Sequence, residues 1–311
     1  MEYQNDILRI LPNKIIEQIR NYIGKDDIEE IRLKVSKPII LNSYNNEYII
    51  DYLVAHDDIK YIMVKISNYS LYAFEQQIKQ GYITMKGGHR IGLAGECVME
   101  NGEIKTIRNI SSVNIRMCKE IIGASKKVMP YIVSCGNVLN TLIISPPKCG
   151  KTTMLRDITK NISNGSINLN LAGKKVTVID ERSEIAACYN GVPQMNVGIR
   201  TDVLDCCPKA AGMMMLIRSM SPQVIAVDEI GTPEDVHAIE YAMHCGCKML
   251  ATVHAESMEE LRKKPLFNRM IGEGRFERYI LLGNNAHVGQ IEGIFDNRGS
   301  LLYKEALEMA K

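Results

Sequence analysis

Nine consecutive residues, Ser145-Pro-Pro-Lys-Cys-Gly-Lys-Thr-Thr153, bring together lysine, hydroxyls and turn-forming residues. They stand between the apolar run Val138-Leu-Asn-Thr-Leu-Ile-Ile144 and Met154-Leu-Arg-Asp-Ile158, which has helical spacing. Strand, loop and helix in that order are the context a phosphate-binding loop requires. Such a loop turns its backbone N–H groups inward, and the helix N-terminus adds about half a positive charge facing the phosphates. Lys151 can then reach the β- and γ-phosphates of a nucleotide, and the Thr152 hydroxyl can hold Mg2+. The nucleotide-contacting set expected is Ser145, Pro146, Pro147, Lys148, Cys149, Gly150, Lys151, Thr152 and Thr153. One position departs from G-x-x-x-x-G-K-[ST]: Ser145 stands where glycine is usual. Outside its strand-helix context the stretch would read as an ordinary loop.

Acids at strand ends supply a second set. Pro222-Gln-Val-Ile-Ala-Val-Asp-Glu229 is a buried apolar strand closing on two carboxylates, an arrangement by which NTPases hold Mg2+ through an aspartate. Asp228 is assigned to the metal and Glu229 to the general base that polarises the attacking water. Lys175-Val-Thr-Val-Ile179 runs into Asp180-Glu-Arg-Ser-Glu184, and acids at the carboxyl end of such a strand lie where open α/β sheets bind ligands. Lys248-Met-Leu-Ala-Thr-Val-His254 is a third strand of this kind, and His254 is placed to sense a γ-phosphate. A strand ending in acids, or a lone histidine, has a plain structural reading on its own; three such ends downstream of one phosphate loop do not. No Asn-Lys-x-Asp element is present to select guanine, so ATP is the expected nucleotide, with Mg2+.

These residues need elements to position them. From the phosphate loop onward, strands alternate with helices, the pattern of a largely parallel sheet. Gly212–Met220 reads as a methionine-rich helix, and Gln290–Phe295 with Leu301–Tyr303 as a closing hairpin. Upstream, residues 1–23 read as helical, Ile28–Val35 as a half-buried strand, and Pro38–Leu41 and Glu47–Ile50 as two more. Residues 57–80 read as two helices with a break near Ser67–Ser70, followed by a strand-rich stretch whose Asn101-Gly102 is a hairpin signal. Lys126–Ser134 reads as a linking helix. The division expected is an α+β domain over 1–125 and a nucleotide-binding α/β domain over 126–311.

Composition limits the alternatives. The chain has 311 residues, 46% hydrophobic and 24% charged, with a net charge of +2. Residues 1–125 carry 16 basic and 16 acidic residues and the remainder 22 and 20, so neither part is a basic domain and nucleic-acid binding gains no support. Nine cysteines without a C-x-x-C pair indicate reduced thiols, and His244-Cys-Gly-Cys247 bunches too tightly for a metal site. No apolar run approaches the roughly 18 residues that cross a bilayer, and the first residues lack a signal-peptide pattern. A cytoplasmic protein that inserts in no membrane and reaches one only through a partner is expected.

With these elements placed, the chain resembles the stage III sporulation protein AA family, ATPases of endospore-forming bacteria related to the motors of type II and type IV secretion and pilus systems. The resemblance covers nearly the whole chain and rests on Val178-Ile-Asp-Glu-Arg-Ser-Glu-Ile-Ala186, Val197-Gly-Ile-Arg-Thr-Asp-Val-Leu204, Met213-Met-Met-Leu-Ile-Arg-Ser-Met-Ser-Pro222, Val227-Asp-Glu-Ile-Gly231 and Ala251-Thr-Val-His254. It implies a P-loop NTPase (RecA-like) domain with a mostly parallel sheet, preceded by a smaller α+β domain. The acidic box of the motors, which carries their catalytic glutamate, aligns with Asp180, with Glu181 following. Water activation therefore has three candidates, Glu229, Glu181 and Asp180, with Glu229 first on strand-end chemistry. The Walker B region of the motors has Gly-Glu where this chain has Asp228-Glu229, and of their two box histidines only His254 is matched. The resemblance further implies Mg-dependent ATP hydrolysis, a homo-oligomeric, hexameric ring, and docking on a membrane protein of a channel between mother cell and forespore, energised from the mother-cell cytoplasm. Arg200, Arg108 and Arg116 are then candidates for an arginine finger reaching a neighbour's nucleotide. Two other readings remain open: a P-loop ATPase that binds single-stranded nucleic acid, and a nucleotide-switched assembly scaffold.

Overall fold

The computed structural model describes residues 6–23, 26–43, 46–67, 75–79, 81–283 and 287–305. They form two compact units: Met1–Glu120 with Ala187–Gln194, and Ile121–Ala186 with Met195–Lys311.

In the first unit, alternation builds the sheet. Within β1 (Ile28–Lys34), Ile28, Ile31 and Leu33 are buried while Glu29, Arg32 and Lys34 face solvent. β2 (Ile39–Ser43), β3 (Glu47–Ile50), β4 (Tyr82–Thr84), β5 (Arg90–Glu100) and β6 (Glu103–Arg116) complete a six-stranded antiparallel sheet in the order β3-β2-β1-β6-β5-β4. Helices Asn13–Ile19 and His56–Ser67 contribute Ile15, Ile19, Ile59 and Ile62 to its core. Asn101 and Gly102 both have positive φ, 53° and 83°, as a two-residue hairpin turn requires, which is why the Asn-Gly signal reads correctly. The second expected helix appears as Glu75–Lys79; the break near Ser67–Ser70 lies outside the described residues.

The second unit holds an eight-stranded sheet in the order β11-β10-β12-β13-β9-β14-β15-β16. β9 (Thr141–Ser145), β10 (Val176–Asp180), β11 (Thr201–Asp205), β12 (Val224–Val227), β13 (Lys248–His254) and β14 (Arg278–Gly283) run parallel. β15 (Gln290–Asp296) and β16 (Leu301–Tyr303) close the edge as the antiparallel hairpin. Every residue of β9, β10 and β12 is buried. Both faces are covered, and such strands read as uninterrupted apolar runs. On one face Leu142, Ile144, Ile179, Ile225 and Val227 share a core with Met213 and Leu216 of helix Lys209–Met220 and Ile239 of helix Pro233–His244. A capping box starts the latter helix, with Thr232 Oγ1 accepting from Asp235 N and Asp235 Oδ2 from Thr232 N.

Two expectations change. Only Met129–Ile132 of Lys126–Ser134 is helical, because Cys135 (φ 48°) and Gly136 (φ 72°) close a two-residue turn pairing β7 (Val133–Ser134) with β8 (Asn137–Val138). The chain must already be extended at Val133 to enter that hairpin. The edge strand β11 has no counterpart in the sequence reading. Its side chains are only half buried, so no apolar run announces it.

Candidate active site

Six parallel strands finish on one edge of the second unit's sheet, and the segments following β9, β10, β12 and β13 bring the candidate residues there. β9 lies between β13 and β14, so the phosphate loop emerges mid-sheet, where open α/β sheets bind ligands. Pro147, Lys148, Gly150, Lys151, Thr152, Thr153, Arg182, Glu184, Asp228, Glu229, His254 and Val288 line one cavity of about 470 Å³.

Within the loop, Gly150 has φ 80° and ends the turn; helix Lys151–Asn164 begins at the next residue. A side chain at Gly150 would be strained by that φ and would bring its Cβ to 3.4 Å from Gly289 Cα. No side chain caps this helix, so the N–H groups of its first turn remain for a ligand. Lys151 is 7% exposed and its Nζ donates to Pro146 O at 3.1 Å and to His254 Nδ1 at 3.0 Å. Burial pulls its pKa below the ordinary lysine value, while Asp228 and Glu229 act in the opposite sense.

Because an ammonium only donates, His254 Nδ1 must accept, which leaves the proton on Nε2. That nitrogen lies 2.8 Å from Glu229 Oε1. The other oxygen, Oε2, accepts from Arg182 Nη1 at 2.6 Å. A continuous chain of hydrogen bonds thus runs from Lys151 through His254 and Glu229 to Arg182. Glu229 itself has φ 55°, held there by its N–H donating to Thr252 Oγ1 at 2.8 Å and by Ile230 N donating to Thr252 O at 2.9 Å.

Asp228 accepts from Thr152 Oγ1 at 2.5 Å on Oδ2 and from Thr252 Oγ1 on Oδ1. A threonine hydroxyl and a carboxylate in contact beside a phosphate loop are hard oxygen donors suited to Mg2+, which takes one or two protein ligands and completes its shell with water and phosphate. The donor set therefore fits the ion.

The three acids considered for water activation are placed differently. Glu229 lines the large cavity. Glu181 accepts from Lys209 Nζ and borders a small cavity of about 20 Å³ beside it. Asp180 is 1% exposed and spends its carboxylate on the backbone, accepting from Glu184 N at 2.8 Å, Ile185 N at 3.0 Å and Ala186 N at 2.8 Å. It anchors the turn after β10 and does not line the large cavity. Arg156 pins the same turn from the helix, donating to Ile185 O at 2.5 Å and Glu184 O at 2.6 Å.

Burial raises the Asp180 pKa to about 6 from the ordinary 3.8, against its three backbone donors. Between those two values the native state binds more protons than the unfolded one, so this residue makes stability fall as pH rises through that window. In Asp180→Asn the contribution is gone. The stability difference between wild type and variant is expected to be most favourable to wild type below about pH 4, where it levels off, and to shift against wild type by about 2–3 kcal/mol by pH 6.5, read from urea midpoints.

Arg200 lies just before β11, at the amino-terminal edge of the parallel sheet, opposite the cavity edge, and donates to Ser163 O at 3.0 Å. Arg108 and Arg116 belong to β6 in the first unit. Sequence reasoning did not single out Arg182, Glu184, Arg156, Lys209 or Val288. Its only available signal for Arg182 was one base inside an acidic turn.

A second cavity of about 290 Å³ shares Gly150, Thr153 and Val288 with the first and is bounded by Ile121, Met154 and Ile291, with His287 at its rim. No helix among the described residues is long and apolar enough to cross a membrane.

A family model described as "Sporulation stage III, protein AA" matches residues 1–302. Stage III sporulation protein AA of Bacillus subtilis (strain 168) is 40% identical over 300 residues, covering 96% of this chain and 97% of that protein. Among solved structures, the pilus retraction motor PilT with bound ADP superposes with a TM-score of 0.60 at 14% identity, over 94% of this chain and 84% of that one. The ATPase DotB of Legionella pneumophila does so at 0.58 and 15%, over 86% and 75%. At these identities the two structures speak to the fold: a RecA-like core sheet with a smaller N-terminal α+β part.

Proposed function

The chain belongs to the sporulation stage III protein AA family, and from that premise we propose that it is a Mg-dependent ATPase that works as the motor of a sporulation channel. The observation that carries this reading is the convergence of Lys151, Thr152, Asp228, Glu229 and His254 on one cavity at the carboxyl edge of a parallel sheet. The uncapped helix N-terminus and Lys151 bind the β- and γ-phosphates. Thr152 and Asp228 would hold Mg2+, which would supply positive charge at the phosphate oxygens. Glu229 takes the proton of the attacking water, and His254, bridging Glu229 and Lys151, couples the base to the phosphate end of the site. The adjoining cavity, with its apolar wall of Ile121, Met154 and Ile291, receives base and ribose.

The resemblance to secretion and pilus motors favours a homo-oligomeric, hexameric ring at the mother-cell face of a channel, docked on a membrane protein. Arg108, Arg116 and Arg200 remain candidates to enter a neighbour's site; a finger contributes about 10³–10⁵ in rate. The primary test is ATP hydrolysis by the purified protein with and without Mg2+. Turnover is expected to fall to background in EDTA and to return with added Mg2+. Absence of both ATP binding and turnover in Mg2+ would overturn the ATPase reading. Ring formation is read separately, by sedimentation with a non-hydrolysable ATP analogue.

A further inference from the structure

Glu229 occupies the position of the base, yet both of its carboxylate oxygens are already engaged, one by Arg182 at 2.6 Å and the other by His254 at 2.8 Å. Each oxygen keeps a further lone pair, but a water bound to Oε2 has to share that oxygen with the guanidinium. Arg182 combines a fixed backbone with an exposed side chain. Its backbone belongs to the turn that Asp180 and Arg156 fix at Glu184, Ile185 and Ala186. Its side chain, in contrast, is 61% exposed, on a long flexible stem lining the same cavity as Lys148, Lys151 and Thr152. A rigid mount carrying a long, exposed guanidinium stem can exchange partners without moving the fold.

A terminal phosphate is the partner to which it would exchange. The γ-phosphate of a nucleoside triphosphate offers three acceptor oxygens and more negative charge than one carboxylate, and a planar guanidinium matches two of those oxygens at once. A diphosphate presents no such group at that end of the cavity. We propose that Arg182 acts within its own subunit as a nucleotide-dependent gate, alternating between the Glu229 carboxylate, as in this structure, and the terminal phosphate of a bound nucleoside triphosphate. The exchange leaves Oε2 of Glu229 to the water alone and places a positive charge on the group under attack. The exchange itself changes only hydrogen-bond partners. In the hydrolysis that follows, the water oxygen bonds to the terminal phosphorus as the bond to the β-phosphate oxygen breaks, the water proton passes to Glu229, and Glu229 returns it to the departing phosphate or to solvent. After the terminal phosphate departs, the guanidinium returns to the carboxylate, so the base is withheld from a site holding diphosphate.

This inference rests on the ATPase reading, and the experiment separates the two. Affinities for ADP and for a non-hydrolysable ATP analogue, both with Mg2+, are measured by calorimetry for wild type, Arg182→Ala and Arg182→Lys, together with kcat. Arg182→Ala is expected to bind ADP within about twofold of wild type while its preference for the triphosphate shrinks about tenfold or more, the scale of one charge-assisted contact. Its kcat falls with it. Arg182→Lys, which keeps the charge but not the fork, should recover part of the preference, and it supplies the reading if the alanine variant does not fold. An unchanged preference in a variant whose kcat falls would overturn the gate, leaving Arg182 as a support for Glu229. Equal loss of both nucleotides would overturn it as well. A wild type that neither binds nor hydrolyses ATP would remove the ATPase reading and the gate together.

Discussion

Glu229→Gln is expected to bind MgATP with undiminished affinity and to hydrolyse it at least about a hundredfold more slowly, the usual consequence of losing an acid–base group. The substitution keeps length and planarity. Glutamine Oε1 can still accept from His254 Nε2, so the chain through His254 to Lys151 survives. What disappears is the proton acceptor, together with the charge that Arg182 addresses. Single-turnover hydrolysis beside equilibrium binding separates the two effects. Glu181→Gln is the control: Glu181 pairs with Lys209 at the margin of the site and does not line the large cavity, so its loss leaves the carboxylate of Glu229 in place. A larger loss of turnover in Glu181→Gln than in Glu229→Gln would transfer the base role to Glu181.

Lys151→Ala should abolish measurable turnover, at least about a hundredfold to a thousandfold down, in the range found when one preorganised charge-stabilising donor is removed from a site. The amine is nearly enclosed, and its three acceptors are the carbonyls of Ser145, at the end of β9, and of Pro146, and the histidine. Removing it withdraws positive charge from the phosphates and also frees His254 Nδ1, so the tautomer that presents Nε2–H to Glu229 is no longer enforced. The one bond from the amine to the sheet backbone is the long 3.4 Å contact to Ser145 O at the end of β9, and the thermal unfolding midpoint should stay within a few degrees of wild type. Retention of wild-type turnover with an intact fold would remove Lys151, and the phosphate loop with it, from the chemistry.

The parts of this site legible in the sequence share one physical origin. Strands buried on both faces are nearly unbroken apolar runs, so Leu142–Ile144, Ile225–Val227 and, interrupted only by Thr252, Leu250–Val253 announce themselves, and the polar residue closing each strand falls at the ligand edge. That logic places Ser145, Asp228 and His254. It fails wherever position depends on long-range polar contacts. The path of the turn after β10 is set by one buried carboxylate holding three backbone N–H groups and by an arginine 28 and 29 residues upstream holding two carbonyls, so Arg182 and Glu184 could not be placed on the cavity from spacing. Alignment with the acidic box of the secretion motors made Asp180 a candidate base; its carboxylate is buried on three backbone N–H groups and anchors the turn. The assignment of Ala187–Gln194 to the first unit was equally out of reach, because the excursion is only eight residues long and its base is closed by Met195 N donating to Ala186 O.

The backbone at Glu229 carries a consequence for how this protein could change. A left-handed φ of 55° disfavours any residue with a Cβ by about 1–2 kcal/mol, and it suits glycine. The fold by itself would be more stable with glycine at this position, and the carboxylate would be lost. Thermodynamic stability and chemistry therefore pull in opposite directions at residue 229: drift toward the more comfortable backbone would give a sturdier protein that grips nucleotide and does no work with it.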